Sequence, residues 1–132
     1  MNSKVIATIK KWHEFISNAD SSILDKILAE DVEFHSPVVW TPQKGKAISK
    51  IYLSAAGMLL KNFIYQKEIV SENEAALVFT AEIDDVTING VDIITFDNKT
   101  GKIIEFKVMI RPLQAVNKIH QKMGELLQQM KR

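Results

Sequence analysis

The stretch DVEFHSPVVW, residues 31–40, sets a carboxylate, an imidazole, a hydroxyl and an indole around Pro37. Groups of these types can hold a ligand or move a proton. His35 and Ser36 are adjacent, so in a regular strand they face opposite sides, although a strand end beside a proline can bulge. Ser36 reads as a polar pocket group. It has no serine–histidine–acid pattern around it and is not expected to act as a nucleophile. The second chemical residue is Asp92, which interrupts the apolar run VDIITF and shares parity with Ile94 and Phe96. Facing inward, its carboxyl lies among hydrocarbon, where burial raises the pKa or demands a hydrogen-bond donor. Asp92 is then a ligand anchor or an acid/base group, with His35 or a water as partner. The alternative is a carboxyl at a strand start near Gly90, bonded to the turn or to water.

Arg111, in MIRPL, offers a planar fork that suits a carboxylate. Its parity with Lys107 and Met109 puts it on the outer face, so pocket clamp and interface ion pair both stay open. Trp12, Phe15, Trp40, Tyr52 and Phe106 are aromatic groups able to line or lid a cavity for a flat apolar molecule. His13, His35 and His120 are too dispersed for a recognisable metal motif, and no glycine-rich phosphate loop is present. Neither a metal nor another cofactor is expected. Glu30, Asp31 and Glu33 read as a solvated acidic corner.

The chain has 132 residues, a net charge of +1, 46% hydrophobic and 25% charged residues, and no cysteine. This suits a globular chain that builds a core without disulfides. The 17 basic residues include only two arginines and form no basic stripe, so nucleic acid is not an expected partner. No apolar run approaches the roughly 18 residues of a membrane span, and the N-terminal segment lacks a signal-peptide pattern. A cytoplasmic location follows as the expectation. Asn98-Lys99-Thr100 has the form of a glycosylation acceptor but reads as a turn.

Apolar spacing predicts helices over Ser3 to Asn18, after Ser21 or Ser22, and over about Ala47 to Lys61. The third presents Ile48, Ile51, Tyr52, Ala55 and Leu59. Four β-rich runs follow, FIYQKEIVSE, AALVFTAEID, VDIITF and KIIEFKVMI. Turn signals separate them at 72–74, at Ile88-Asn89-Gly90 and at 97–101. After Pro112, Leu113, Val116, His120, Met123, Leu127 and Met130 share a helical stripe. The fold class is α+β: residues 1–132 as a single domain, a curved antiparallel sheet forming a cone, covered by N-terminal helices, with 113–132 as a C-terminal helix extension. The inside of such a cone is an apolar cavity.

The segments LAEDVEFHSPV, GVDIITFDNKTGKIIEF and VMIRPL, in that order and spacing, resemble the nuclear transport factor 2-like superfamily, in particular its SnoaL-like branch. The resemblance covers residues 4 to 112. It implies a cone of curved sheet, commonly a homodimer through the sheet, and relatives such as ketosteroid isomerases and polyketide cyclases. The isomerases use an aspartate base, with a tyrosine and a protonated aspartate as oxyanion hole. By resemblance the base position falls on Ser36, the tyrosine near Trp12 and the oxyanion-hole aspartate on Asp92. The cyclases carry an acid/base aspartate after the GKI turn, where this chain reads Glu105-Phe106-Lys107-Val108. Its inward parity is Phe106, Val108 and Ile110, all apolar. The expectation is a small-molecule-binding protein with an apolar pocket anchored at Asp92, lined by Trp12, Ser36, Trp40, Tyr52, Phe106, Val108 and Arg111. An isomerase- or cyclase-type enzyme using Asp92 with His35 or water is the alternative, and a non-catalytic dimeric interaction module is another. The expected partner is a small hydrophobic molecule.

Overall fold

Asn2 starts the first helix: its Oδ1 accepts from the backbone N–H of Lys4 at 2.9 Å and of Val5 at 3.4 Å. That helix, α1 (Ser3–Asn18), ends at Ala19, which takes a left-handed φ of 54° and returns its N–H to the Phe15 carbonyl. The computed structural model describes residues 2–130, so the last two residues of the helix expected over 113–132 lie outside the described residues. The remaining elements are α2 (Ser22–Ile27), β1 (Leu28–His35), β2 (Gln43–Lys44), α3 (Lys46–Leu59), β3 (Lys61–Ser71), β4 (Glu74–Ile83), β5 (Val86–Phe96), β6 (Ile103–Arg111) and α4 (Leu113–Met130).

The strands form one curled, unclosed sheet in the order β2-β1-β6-β5-β4-β3. Strands β3 to β6 are sequential antiparallel neighbours, as their short connections require. Between β1 and β6 the chain passes through β2, α3 and the three strands β3 to β5, and β6 then lies parallel to β1. Asp97 makes the β5–β6 turn, its Oδ1 accepting from the N–H groups of Lys99 and Thr100, with Gly101 supplying a φ of 76°.

Three local expectations are corrected. Gly90 is not in a turn: it lies inside β5, and the β4–β5 reversal falls at Asp84 and Asp85. Its missing side chain makes room, since a Cβ there would stand 2.5 Å from Phe79 Cζ and 2.8 Å from the Met109 carbonyl oxygen. Helix α3 buries Ser49, Leu53 and Ala55 and exposes Ile51. Helix α4 buries Ala115, Ile119 and Met123, leaving Leu113 exposed. Both amphipathic faces are rotated from the sequence stripe, because the apolar residues on these helices outnumber those a single contact face can cover.

Two buried clusters make the core. One joins α1, α2 and β1 to Leu77, Ile94 and Phe106, and the other joins α4 to Phe79, Ala81, Ile83 and Ile88. Tyr52, Tyr65 and Val108 pack against both. Among the described residues no helix is long and apolar enough to cross a membrane.

Candidate functional site

Register puts Leu77 of β4, Asp92 of β5 and Val108 of β6 side by side across the sheet, at the junction of the two clusters. Asp92 alternates with Gly90 and Ile94 on the concave face and is only 4% exposed. The alternative of a carboxyl at a strand start is therefore overturned: Asp92 is in mid-strand. A cavity of about 110 Å³ opens beside it, walled by β4–β6, by Trp12 and Phe15 of α1, by α3 from Tyr52 to Gly57, and by Ile119 and Met123 of α4. The lining is apolar apart from Ser36, Tyr52, the Trp12 indole nitrogen and Asp92.

A hydrogen-bond chain fixes the carboxyl. Trp12 Nε1 donates to Tyr65 Oη at 2.7 Å, and Tyr65 Oη donates to Asp92 Oδ2 at 2.5 Å. With the indole donating into its oxygen, the Tyr65 hydroxyl proton is left for Asp92. Burial pushes the Asp92 pKa from an ordinary 3.8 up to about 7, and the Tyr65 hydrogen bond pulls back only part of the way. Tyr65 is held well above the ordinary tyrosine range, first by burial and then by the Asp92 charge, and stays neutral. Asp92 Oδ1 has no side-chain hydrogen-bond partner among the described residues. At neutral pH the carboxyl is thus present in both forms, able to donate from Oδ1 when protonated and to accept when ionised.

Of the residues singled out in the sequence, Trp12, Ser36, Tyr52, Asp92, Phe106 and Val108 border this cavity, and so do Phe15 and Ile110. His35, Trp40 and Arg111 do not. The expected partnership of Asp92 with His35 is not formed: alternation along β1 turns His35 to the outer face, near Glu33 and Glu105, while Phe34 takes the inner one. Trp40 is 97% exposed in the β1–β2 loop, with no packing that could make it a lid. Arg111 is exposed too, its Nε donating to Asn89 Oδ1 at 2.7 Å across the β5–β6 ladder. Ser36 Oγ accepts from the Val38 N–H at 3.2 Å, closing the turn after β1.

Sequence reasoning missed Tyr65. In FIYQKE the alternation Phe63, Tyr65 carried the signal, but irregular pairing of β3 with β4 on either side of Tyr65 breaks the strand period there. It also missed α4 as a cavity wall.

No protein-family model matches the sequence, and no curated protein matches it. Solved structures do. The chain is similar to a steroid delta-isomerase from Pseudomonas aeruginosa, at 28% identity and a TM-score of 0.94, over 98% of this chain and 96% of that one. A protein of cystatin-like fold from Silicibacter pomeroyi matches at 26% identity and a TM-score of 0.88, over 97% and 87% of the two chains. A candidate SnoaL-like polyketide cyclase from Shewanella denitrificans shares the fold at 16% identity and a TM-score of 0.65, over 95% and 97%.

Proposed function

We propose that this chain, whose structural neighbours are nuclear transport factor 2-like and SnoaL-like proteins, binds a small, mainly apolar molecule whose one polar atom, a carbonyl or hydroxyl oxygen, meets Asp92. The observation that carries this reading is a buried carboxyl, held by Tyr65 through one oxygen, on the wall of an otherwise apolar cavity. The cavity volume, about 110 Å³, is on the scale of a single ring. In such a site the apolar walls supply affinity and the carboxyl fixes orientation.

The protonation state selects the ligand. The neutral carboxyl donates to a ketone, and the carboxylate does not. Cyclohexanone, followed by NMR shifts of residues around Asp92, is expected to bind about 3–10-fold tighter at pH 5.5 than at pH 8.5, the worth of one hydrogen bond. Asp92→Leu is expected to weaken binding at pH 5.5 and to remove the pH dependence. Binding that ignores both pH and this substitution would sink the reading.

A second reading is favoured by the Asp92 pKa of about 7 and by the likeness to a steroid delta-isomerase. A carboxyl poised near neutrality can take a proton from carbon beside a carbonyl and return it elsewhere on the same molecule. Conversion of 3-cyclohexen-1-one to its conjugated isomer, seen as a rise in ultraviolet absorbance and lost in Asp92→Leu, would favour catalysis. Saturable binding without conversion favours the anchor. We further read the outer face of the sheet as the contact with a second copy of the chain, supported by exposed Ile64 and Ile69 on β3 and Met109 on β6. Sedimentation of the same sample at two chain masses is the expected result.

A further inference from the structure

Three liganding side chains converge on the side of the sheet turned away from the cavity. Glu33 of β1 and Glu105 of β6 are direct partners in the parallel register, and His35 leaves β1 on the same face as Glu33. One ligand atom from each of the three lies within 4.8 Å of the other two. His35 Nε2 stands 3.9 Å from Glu33 Oε2 and 3.8 Å from Glu105 Oε2. Those separations are too long for hydrogen bonds. Nε2 is shielded from solvent and has no hydrogen-bond partner among the described residues, although the ring as a whole keeps 23% exposure. An orphaned buried nitrogen beside two carboxylates calls for a cause.

A shared cation supplies one. Two N or O ligands each about 2.0–2.2 Å from one ion stand roughly 3.0–3.5 Å apart at right-angled to tetrahedral geometry. A few tenths of an ångström of movement brings each glutamate oxygen into that range of His35 Nε2, and both glutamate side chains are more than a third exposed and free to close on each other from within 4.8 Å. Charge points the same way, because like charges directly opposite on neighbouring strands repel. The nearest cation to Glu33 is Lys44, with Nζ 3.8 Å from Oε1 on a side chain 75% exposed, so its compensation is screened. Lys107 faces His35 in the register. Glu33 also borders a groove with Glu30, Asp31 and Asp97, against Lys102 alone.

We propose that Glu33, His35 and Glu105 bind a first-row divalent cation, with Zn²⁺ preferred and the remaining positions open to water or a further ligand. One imidazole with two carboxylates suits such ions over Mg²⁺, which favours all-oxygen octahedral shells. The site is distinct from the Asp92 cavity and does not depend on what that cavity binds.

The test is calorimetric titration of the metal-stripped full chain with ZnCl₂ at pH 7.5, paired with thermal melts. The expected result is one Zn²⁺ per chain, a higher melting temperature, and no comparable effect from MgCl₂. Glu105→Gln keeps the shape and relieves the repulsion, so the metal-free variant melts no lower than the parent. Its Zn²⁺ affinity falls at least about tenfold, since losing even a group that only supports a ligand costs that much. His35→Ala has the same effect on affinity. His13→Ala, at the exposed His13–Glu68 pair, leaves it unchanged. Absence of saturable binding, binding indifferent to both Glu105→Gln and His35→Ala, or loss on His13→Ala instead would overturn the proposal.

Discussion

At Asp92 two forces oppose each other on one carboxyl. Burial among hydrocarbon favours the neutral form, and the Tyr65 hydroxyl favours the charged one; burial is the larger, leaving the pKa at about 7. Removing the hydroxyl in Tyr65→Phe takes away the only effect that lowers this pKa, so the Asp92 titration moves further up. A carbon-13 titration of the labelled carboxyl reads the shift directly. The same change strips Trp12 Nε1 of its acceptor, and the unpaired indole costs about 1–3 kcal/mol of stability. An unmoved titration would show that Tyr65 does not donate to Asp92 in solution.

Among the elements, β5 shapes the cavity through Gly90. In β5 the missing side chain of Gly90 lets the Phe79 ring lie against the strand, and that ring is part of the cavity wall. The backbone there needs no left-handed geometry, so the penalty of a substitution is steric only. Gly90→Ala drives a methyl into Phe79 and toward the Met109 carbonyl, costing about 1–3 kcal/mol as overpacking. The ring borders the cavity, so a shift away from the methyl narrows it, and cyclohexanone affinity is expected to fall together with the melting temperature. A variant that keeps both would mean that the β5–β6 ladder shifts instead.

Over the whole molecule, the two-part core leaves a carboxyl with an unmatched charge in its middle, and this makes stability depend on pH. The folded pKa of Asp92 lies above the unfolded one, so the folded state holds its proton more tightly. Its contribution to stability is fully present below about pH 4 and is lost as pH rises to about 7 and beyond. From 3.8 to about 7, at about 1.4 kcal/mol per unit, the loss is on the order of 4 kcal/mol. Asp92→Asn stays neutral at every pH. Urea unfolding should show parent and variant close at pH 4 and the variant more stable at pH 8; equal curves at both would mean that water reaches the carboxyl and burial does not govern it.

Period and alternation along the chain determined much of this by themselves. The span of α1, the four-strand meander, the inward parity of Phe106, Val108 and Ile110, and the burial of Asp92 all follow from local side-chain direction, which is a property of neighbouring residues. Only the tertiary structure decided what Asp92 touches. Tyr65 and Trp12 come from β3 and α1, and irregular pairing beside Tyr65 hides its direction from any count of alternation. The direction of His35 stayed open in the sequence, because a strand end beside Pro37 can bulge, and the regular alternation of β1 settled it as outward. Its meeting with Glu105 was not legible, because the parallel pairing of β1 with β6 joins segments with most of the fold between them. The faces that α3 and α4 bury were open for the same reason: each helix carries more apolar residues than it can cover, and the sheet it packs on chooses among them.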